Sequence, residues 1–127
     1  MKPIIRSLLC IMTVILLDQC EKDEPIFNVK IPDDNFLNAL IESGIDTDED
    51  GKISYSEAES VISLDISGDS ISEMTGIEKF INLDTLMCYS NQLTTLNLSY
   101  NINLEYLDCH FNQFIFKDST LTIYNYL

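Results

Sequence analysis

Two stretches, LDTLMCYSNQL from Leu83 to Leu93 and LEYLDCHFNQF from Leu104 to Phe114, superimpose at a spacing of 21 residues. Five of their eleven positions are identical: two leucines, Cys88/Cys109, Asn91/Asn112 and Gln92/Gln113. An approximate third copy lies upstream. VISLDISGDSI sets Leu64, Ile66, Asp69 and Ile71 at 22 residues before Leu86, Cys88, Asn91 and Leu93. A fixed period near 20 marks one supersecondary unit used repeatedly. One such coil cannot bury its apolar edge alone, so coils stack and share a core.

The spacing Leu-x-x-Leu-x-Cys-x-x-Asn-x-Leu is that of a leucine-rich-repeat solenoid. Each later coil has two apolar strips, Leu86-x-Cys88-x-x-Asn91 and Leu96-x-Leu98-x-x-Asn101. Alternation at period two predicts a short strand from each. The asparagines fall where a strand must turn, and such residues bond local backbone and accept left-handed φ. The first coil closes through ISEMTGIEKFINL, with apolar Met74, Ile77 and Phe80. The expected fold is α+β: a short solenoid of about two and a half coils over residues 63–127, in which Leu121-x-Ile123-x-Asn125 supplies a displaced second arm. Alternation places Leu86, Cys88, Leu107 and Cys109 inside. Asp65, Ser67, Met87, Tyr89, Asp108 and His110 then face solvent. Cys88 and Cys109 read as small buried hydrophobes; a disulfide between adjacent rungs is geometrically awkward.

Seven lysines and arginines against 21 aspartates and glutamates give a net charge of −14. That balance opposes phosphate backbones and excludes nucleic acid as a partner. Lys2 and Arg6 precede an apolar run from Ser7 to Leu17, too short to span a bilayer and suited to a secretory signal. LDQC then EKDE follows. This resembles a bacterial lipoprotein signal, which assigns residues 1–19 to the leader, Cys20 to lipidation and residues 20–30 to a lipidated, acidic tether. Lys22-Asp23-Glu24 resembles an acidic export signal that sends such lipoproteins outward. The implied location is the cell surface, on the outer membrane, with the lipid as membrane anchor.

The motif with the most chemistry is DTDEDGKISYSE, Asp46 to Glu57. It matches the twelve-residue EF-hand loop at every required position. Asp46, Asp48 and Asp50 offer side-chain oxygens, Gly51 permits the sharp turn, Lys52 offers its carbonyl, Ser54 acts through water and Glu57 can chelate with both oxygens. Calcium takes six to eight oxygens, which this spacing wraps around one ion. Ser54 to Glu57 is also a capping box that starts a helix without metal. A helix from Asp34 to Ser43 is expected before the loop, N-capped by Asp33, with Phe36, Leu37, Leu40 and Ile41 on its apolar face and Gly44 as its stop. A short helix from Ser56 to Val61 is expected after it. Residues 31–62 thus form a helix-loop-helix cap over the first coil, its calcium site structural.

IPDDNF, the acidic loop, and TGIEKFINLDTLMCYSNQLTTLNLSYN occur in that order, from about Ile31 to Phe114. The order resembles Bacteroidetes surface lipoproteins of the internalin-like leucine-rich-repeat kind. That resemblance implies a non-catalytic protein that binds host or bacterial surface proteins or mediates adhesion. Met87, Tyr89, Asp108 and His110 are the candidate binding surface, since exposed Tyr and Met favour protein contacts. Asp108 and His110 share a face as an i, i+2 pair, but no nucleophile accompanies them. Two alternatives stand beside this reading: a calcium-dependent docking module in which the loop itself meets the partner, and a truncated, non-functional remnant of a longer repeat protein.

Overall fold

The computed structural model describes residues 27–115. The leader, Cys20 and the arm expected at Leu121 to Asn125 lie outside those residues. The first helix, α1 (Asp34–Glu42), begins because the Asp33 Oδ1 accepts the Phe36 N–H at 3.0 Å. It stops in a Schellman motif, with Gly44 N–H on Ile41 O and Ile45 N–H on Leu40 O. Phe36 and Leu40 are 0 % exposed and seat the helix on the repeat core. Each such side chain contributes roughly 1.5–3 kcal/mol of gross burial energy. The second helix, α2 (Tyr55–Ser60), carries the full capping box of Ser54 and Glu57.

Three strands follow: β1 (Ser63–Asp65), β2 (Thr85–Met87) and β3 (Tyr106–Asp108). They form one parallel sheet in sequence order. The register aligns Leu64, Leu86 and Leu107 inward, and Asp65, Met87 and Asp108 beside one another. Parallel neighbours need a crossover, and here each crossover is the remainder of a coil. The first contains a 3-10 turn, Ile77–Lys79. The second apolar strip differs from expectation. Leu96 to Asn101 forms no strand, although Leu96 and Leu98 do pack against the core. A strand needs a ladder partner. The equivalent arm of the first coil is the TGIEKF segment, whose 3-10 turn presents no extended edge.

The asparagines join one coil to the next. Asn91 Oδ1 accepts from the N–H groups of Asp69 and Ile71, at 3.1 and 3.0 Å. Its Nδ2 donates to Ile66 O and Cys88 O, at 2.8 and 3.1 Å. Asn112 repeats this one coil later, accepting from Leu93 N–H and donating to Cys88 O and Cys109 O. Asn101 donates to Ile77 O and Phe80 O. Asn82 and Asn103 form a further exposed pair, bonding Glu59 O and Ile81 O of the preceding turns. Left-handed φ falls one residue before the expected asparagines, at Ser90 (55°) and Phe111 (53°), with Gly68 (79°) at the equivalent place in the first coil. The asparagines therefore act through their side chains and not through their own backbone angles.

The first coil has Asp69 where the others have asparagine, and the cap does the joining there. Asp33 Oδ2 accepts from Ser72 N–H, Ser72 Oγ and Glu73 N–H at 2.7–3.0 Å. Asn35 donates to Ser70 O at 3.1 Å. One carboxylate thus starts α1 with one oxygen and fastens it to the first coil with the other. Burial opposes its ionisation, but the Ser72 hydroxyl and the Phe36, Ser72 and Glu73 N–H groups together hold Asp33 below the usual carboxylate range.

Residues Phe27–Val29, assigned above to the tether, belong to the cap. Val29 N–H donates to Ile53 O and Tyr55 N–H to Phe27 O, both at 2.7 Å, in an antiparallel bridge of Asn28 with Ser54. The entry segment then crosses Gly76. A Cβ there would lie 2.8 Å from Ile31 Cγ1 and 3.1 Å from Lys30 O, and φ is 110°. Only glycine meets both conditions.

Two substitutions test this account. Asn91→Ala removes the partner of Asp69 N–H, Ile71 N–H and Ile66 O, while Cys88 O keeps Asn112, and should lower unfolding stability in urea by roughly 2–4 kcal/mol. Asn103→Ala, which removes one exposed bond, should change it by less than about 1 kcal/mol. Equal effects would show that side-chain stitching is not what holds the coils.

Candidate functional site

Two groups of side chains are positioned by this framework. The first is the loop between the helices. Asp46 Oδ1 accepts Asp50 N–H at 3.2 Å and its Oδ2 accepts Gly51 N–H at 2.9 Å. Asp48 Oδ1 accepts Asp50 N–H at 3.2 Å, and Asp50 Oδ1 accepts Lys52 N–H at 2.8 Å. Glu49 and Gly51, at φ 59° and 78°, turn the chain so that these carboxylates converge. Oxygens of Asp46, Asp48 and Asp50 lie within 4.8 Å of one another. The Asp50 N–H favours the ionised form of Asp48, but slight desolvation, the charges of Asp50 and Glu57 and a hydrogen bond with Asp46 outweigh it, and Asp48 sits above the usual range. Three carboxylates this close favour a cation among them.

Glu57 stands apart from that cluster. Its Oε1 accepts from Thr47 N–H and Oγ1 at 2.7 and 2.8 Å, and its Oε2 from Ser54 N–H and Oγ, both at 2.8 Å. These bonds, the Ser54 and Thr47 N–H groups first, hold its carboxyl down at about 2. Glu57 therefore clamps the two ends of the loop. Ser54 serves as the N-cap of α2, accepting Glu57 N–H, and Lys52 is exposed. The role of Thr47 was not legible from the twelve-residue pattern, because its position in that pattern is unconstrained.

The loop's apolar residue, Ile53, is fully buried. Val29 pairs with it, its N–H donating to Ile53 O. The only advance signal was the apolar alternation of Phe27 and Val29 before the helix.

The second group is the solvent face of the sheet. Beyond the strand ends, Ser67, Tyr89 and His110 continue the rows begun by Asp65, Met87 and Asp108, because Gly68 N–H bonds Tyr89 O and Ser90 N–H bonds His110 O. The Tyr89 and His110 rings stack, with centroids 4.9 Å apart and planes 8° from parallel. Phe111 meets the His110 ring edge-on, with centroids 4.5 Å apart. Asp108 contacts His110 Nδ1. All four predicted surface residues, Met87, Tyr89, Asp108 and His110, are thus neighbours. Inside the sheet, burial, then Cys109 and Asp108, pushes the Cys88 thiol up to about 12. Burial and Asp108 raise Cys109 also. Both are free thiols that pack as core. A groove of about 490 Å³ lined by Glu73, Met74, Thr95, Leu96 and Tyr100 runs along the return arms and contains none of the predicted residues.

No family model matches the chain. It is 41% identical to internalin J of Listeria monocytogenes serotype 4b (strain F2365) over 75 residues, which is 59% of this chain and 8% of that protein. Among solved structures, the functional domain of InlJ from Listeria monocytogenes, which includes a cysteine ladder, superposes with a TM-score of 0.59 at 41% identity, covering 68% of this chain and 19% of that one. The internalin InlF from Listeria monocytogenes str. 4b F2365 gives 0.58 at 26% identity, over 65% of this chain and 24% of that one. The CBM51-2 and INT domains of Clostridium perfringens ZmpB give 0.55 at 28% identity, over 63% and 17%. The chain is therefore related to internalins through a leucine-rich-repeat unit, and spans under a tenth of the curated relative it matches.

The clamp gives a pH prediction. Glu57 falls from its ordinary 4.5 to about 2 on folding, so its contribution is complete above about 4.5 and is lost as pH falls towards 2. In chelator, the melting temperature should be level above about pH 5 and drop between pH 4.5 and 2, with a smaller drop in Glu57→Gln. Glu57→Ala at pH 7 should cost about 1–3 kcal/mol without any metal. A calcium-free melting point unchanged by Glu57→Ala would refute the clamp.

Proposed function

We propose that this chain is a non-catalytic binding scaffold that meets a partner protein with the solvent face of β1, β2 and β3. The observation that carries this is the contiguity of Met87, Tyr89, Asp108 and His110 on a rigid, open sheet. Relationship to internalins by the same repeat unit supports it. His110 and Asp108 lie on that exposed face. The partner is a surface protein of a host or of another bacterium, and Cys20 carries the lipid that anchors the chain at the outer membrane.

In the same reading the acidic loop is a structural calcium site. Asp46, Asp48 and Asp50 converge as such a site needs, and the sequence pattern assigns the Lys52 carbonyl and Ser54 to the same ion. When bound, the ion neutralises these carboxylates. Glu57 joins them by exchanging hydrogen bonds with Thr47 and Ser54 for the metal, so its two roles compete. The site is expected to be weak, at about 0.1–1 mM, as in other extracellular modules. A hundredfold excess of calcium over its dissociation constant stabilises the fold by about 2.7 kcal/mol.

Calorimetry on the chain should show one calcium site, weakened by Asp46→Asn and Asp48→Asn. No heat and no melting shift at about 10 mM calcium would end the metal assignment. Surface-protein capture should fall with Tyr89→Ala and His110→Ala while calcium affinity is kept. If those variants capture normally and Glu49→Lys does not, the loop is the contact and the docking reading replaces this one. Fatty-acid labelling in a related bacterium should be lost in Cys20→Ser; retained labelling would refute the anchor.

A further inference from the structure

Among the described residues, the solvent face of the sheet carries two aspartates and neither lysine nor arginine. Asp65 and Asp108 stand on the outer strands with Met87 between them. The described lysines, Lys30, Lys52 and Lys79, belong to the cap and the first return arm, and residues 80–115 contain neither lysine nor arginine. Both aspartates are held by one oxygen. Asp65 Oδ1 accepts Ser67 N–H at 3.1 Å and the Ser67 hydroxyl. Asp108 Oδ1 accepts His110 N–H at 3.4 Å and contacts Nδ1. These hydrogen bonds leave Oδ2 of each aspartate without a partner among the described residues, and the anchoring fixes both carboxylates on an exposed surface.

Tyr89 adds an aromatic face. His110 covers one side of its ring at 4.9 Å. The neighbour on the other side is Ser67, whose side chain is too small to cover it. A planar cation on that ring face would have Asp65, on the neighbouring strand, as its carboxylate partner. Arginine suits the position better than lysine, because guanidinium stacks on aromatic rings and pairs carboxylates through two parallel bonds.

We propose that the sheet face recognises a protein segment bearing two cationic side chains, one between Asp65 and Tyr89 and one at Asp108, with an apolar residue on Met87. This rests on the reading of the face as the binding surface and names its ligand chemistry. Adjacent strands lie about 4.8 Å apart, so the two carboxylates are separated by about 10 Å. An extended chain rises about 3.3 Å per residue and alternates its side chains, so basic residues four apart share one face about 13 Å apart, within reach of two long arginine side chains, with the residue midway between them over Met87. The unbalanced charge of the face excludes acidic segments and speeds encounter with basic ones.

The test is fluorescence anisotropy of the full chain with a labelled peptide, Gly-Arg-Gly-Leu-Gly-Arg-Gly, at low and physiological salt. Binding should be seen, should weaken with salt, and should vanish when both arginines are replaced by glutamate. Asp65→Asn, Asp108→Asn and Tyr89→Ala should each weaken it about two- to fivefold, the scale of exposed ion pairs and cation–π contacts. Asparagine keeps the oxygen that bonds residue 67 or 110, and melting curves confirm that each variant is folded. Asp34→Asn, on the far cap helix, should have no effect. No binding at 1 mM peptide overturns the proposal, as does an equal loss with Asp34→Asn, which signifies bulk charge attraction. If the two aspartate variants bind the peptide and capture surface partner normally while Tyr89→Ala loses capture, cation recognition is wrong and the face remains the binding surface. If Tyr89→Ala also captures normally, both readings fall together.

Discussion

Everything in this fold depends on how the backbone is satisfied where each coil leaves the sheet. The strands are three residues long, so most of each coil has no ladder to supply hydrogen bonds. A buried N–H or C=O without a partner costs about 1–3 kcal/mol. The carboxamide of Asn91 removes that cost for Asp69, Ile71 and Ile66 at once, and shares Cys88 O with Asn112. No other side chain of this size offers an acceptor and two donors in one plane. Because the groups it serves belong partly to the previous coil, the same bonds that finish one turn also fix the register of the next. Leucine packing alone would tolerate sliding between coils; the amides do not.

This explains why the cap takes the form it does. The first coil has no earlier coil for its own side chain to reach back to, and Asp69 stands where the later coils have asparagine, with its side chain exposed. Asp33 and Asn35 at the start of α1 supply the missing acceptor and donor. The helix is therefore more than an apolar lid. Its N-terminal side chains reproduce, from the opposite direction, the chemistry of the repeat. The loop is tied to the same unit through Ile53, Val29 and the contact of Ile31 with Gly76. Order in the acidic loop and order at the edge of the first coil are consequently parts of one cooperative structure.

The sequence disclosed whatever rests on local pattern. The 21-residue offset located β2 and β3, and the 22-residue offset β1. Asp33, Gly44, Ser54 and Glu57 announced the helix limits to within a residue, because capping needs particular side chains at particular places. What escaped were features that depend on a distant partner. Leu96-x-Leu98 has the alternation of a strand but lacks an extended neighbour. Phe27 and Val29 look like tether until Ile53 is placed beside them. The two oxygens of Glu57 fit a chelating pattern, yet Thr47 and Ser54 bind both. The surface row of Met87, Tyr89, Asp108 and His110 was legible from alternation, whereas the Tyr89–His110 stack follows only from the parallel register.

That stack shows how the interior sets the exterior. Inward positions are confined to leucine, isoleucine and cysteine by the space between coils. The outward positions of the same strands are free of that restriction and need only tolerate their cross-strand neighbours. Parallel register then brings residue types together that are 21 or 22 positions apart. Tyr89 meets His110 at stacking distance because Asn112 joins Leu93 and Cys88 to the third coil. A substitution in the amide ladder would therefore disturb the outer surface without touching it. The distinction between a core position and a binding position weakens in so thin a structure: the side chain that aligns the coils is also what assembles the face they present.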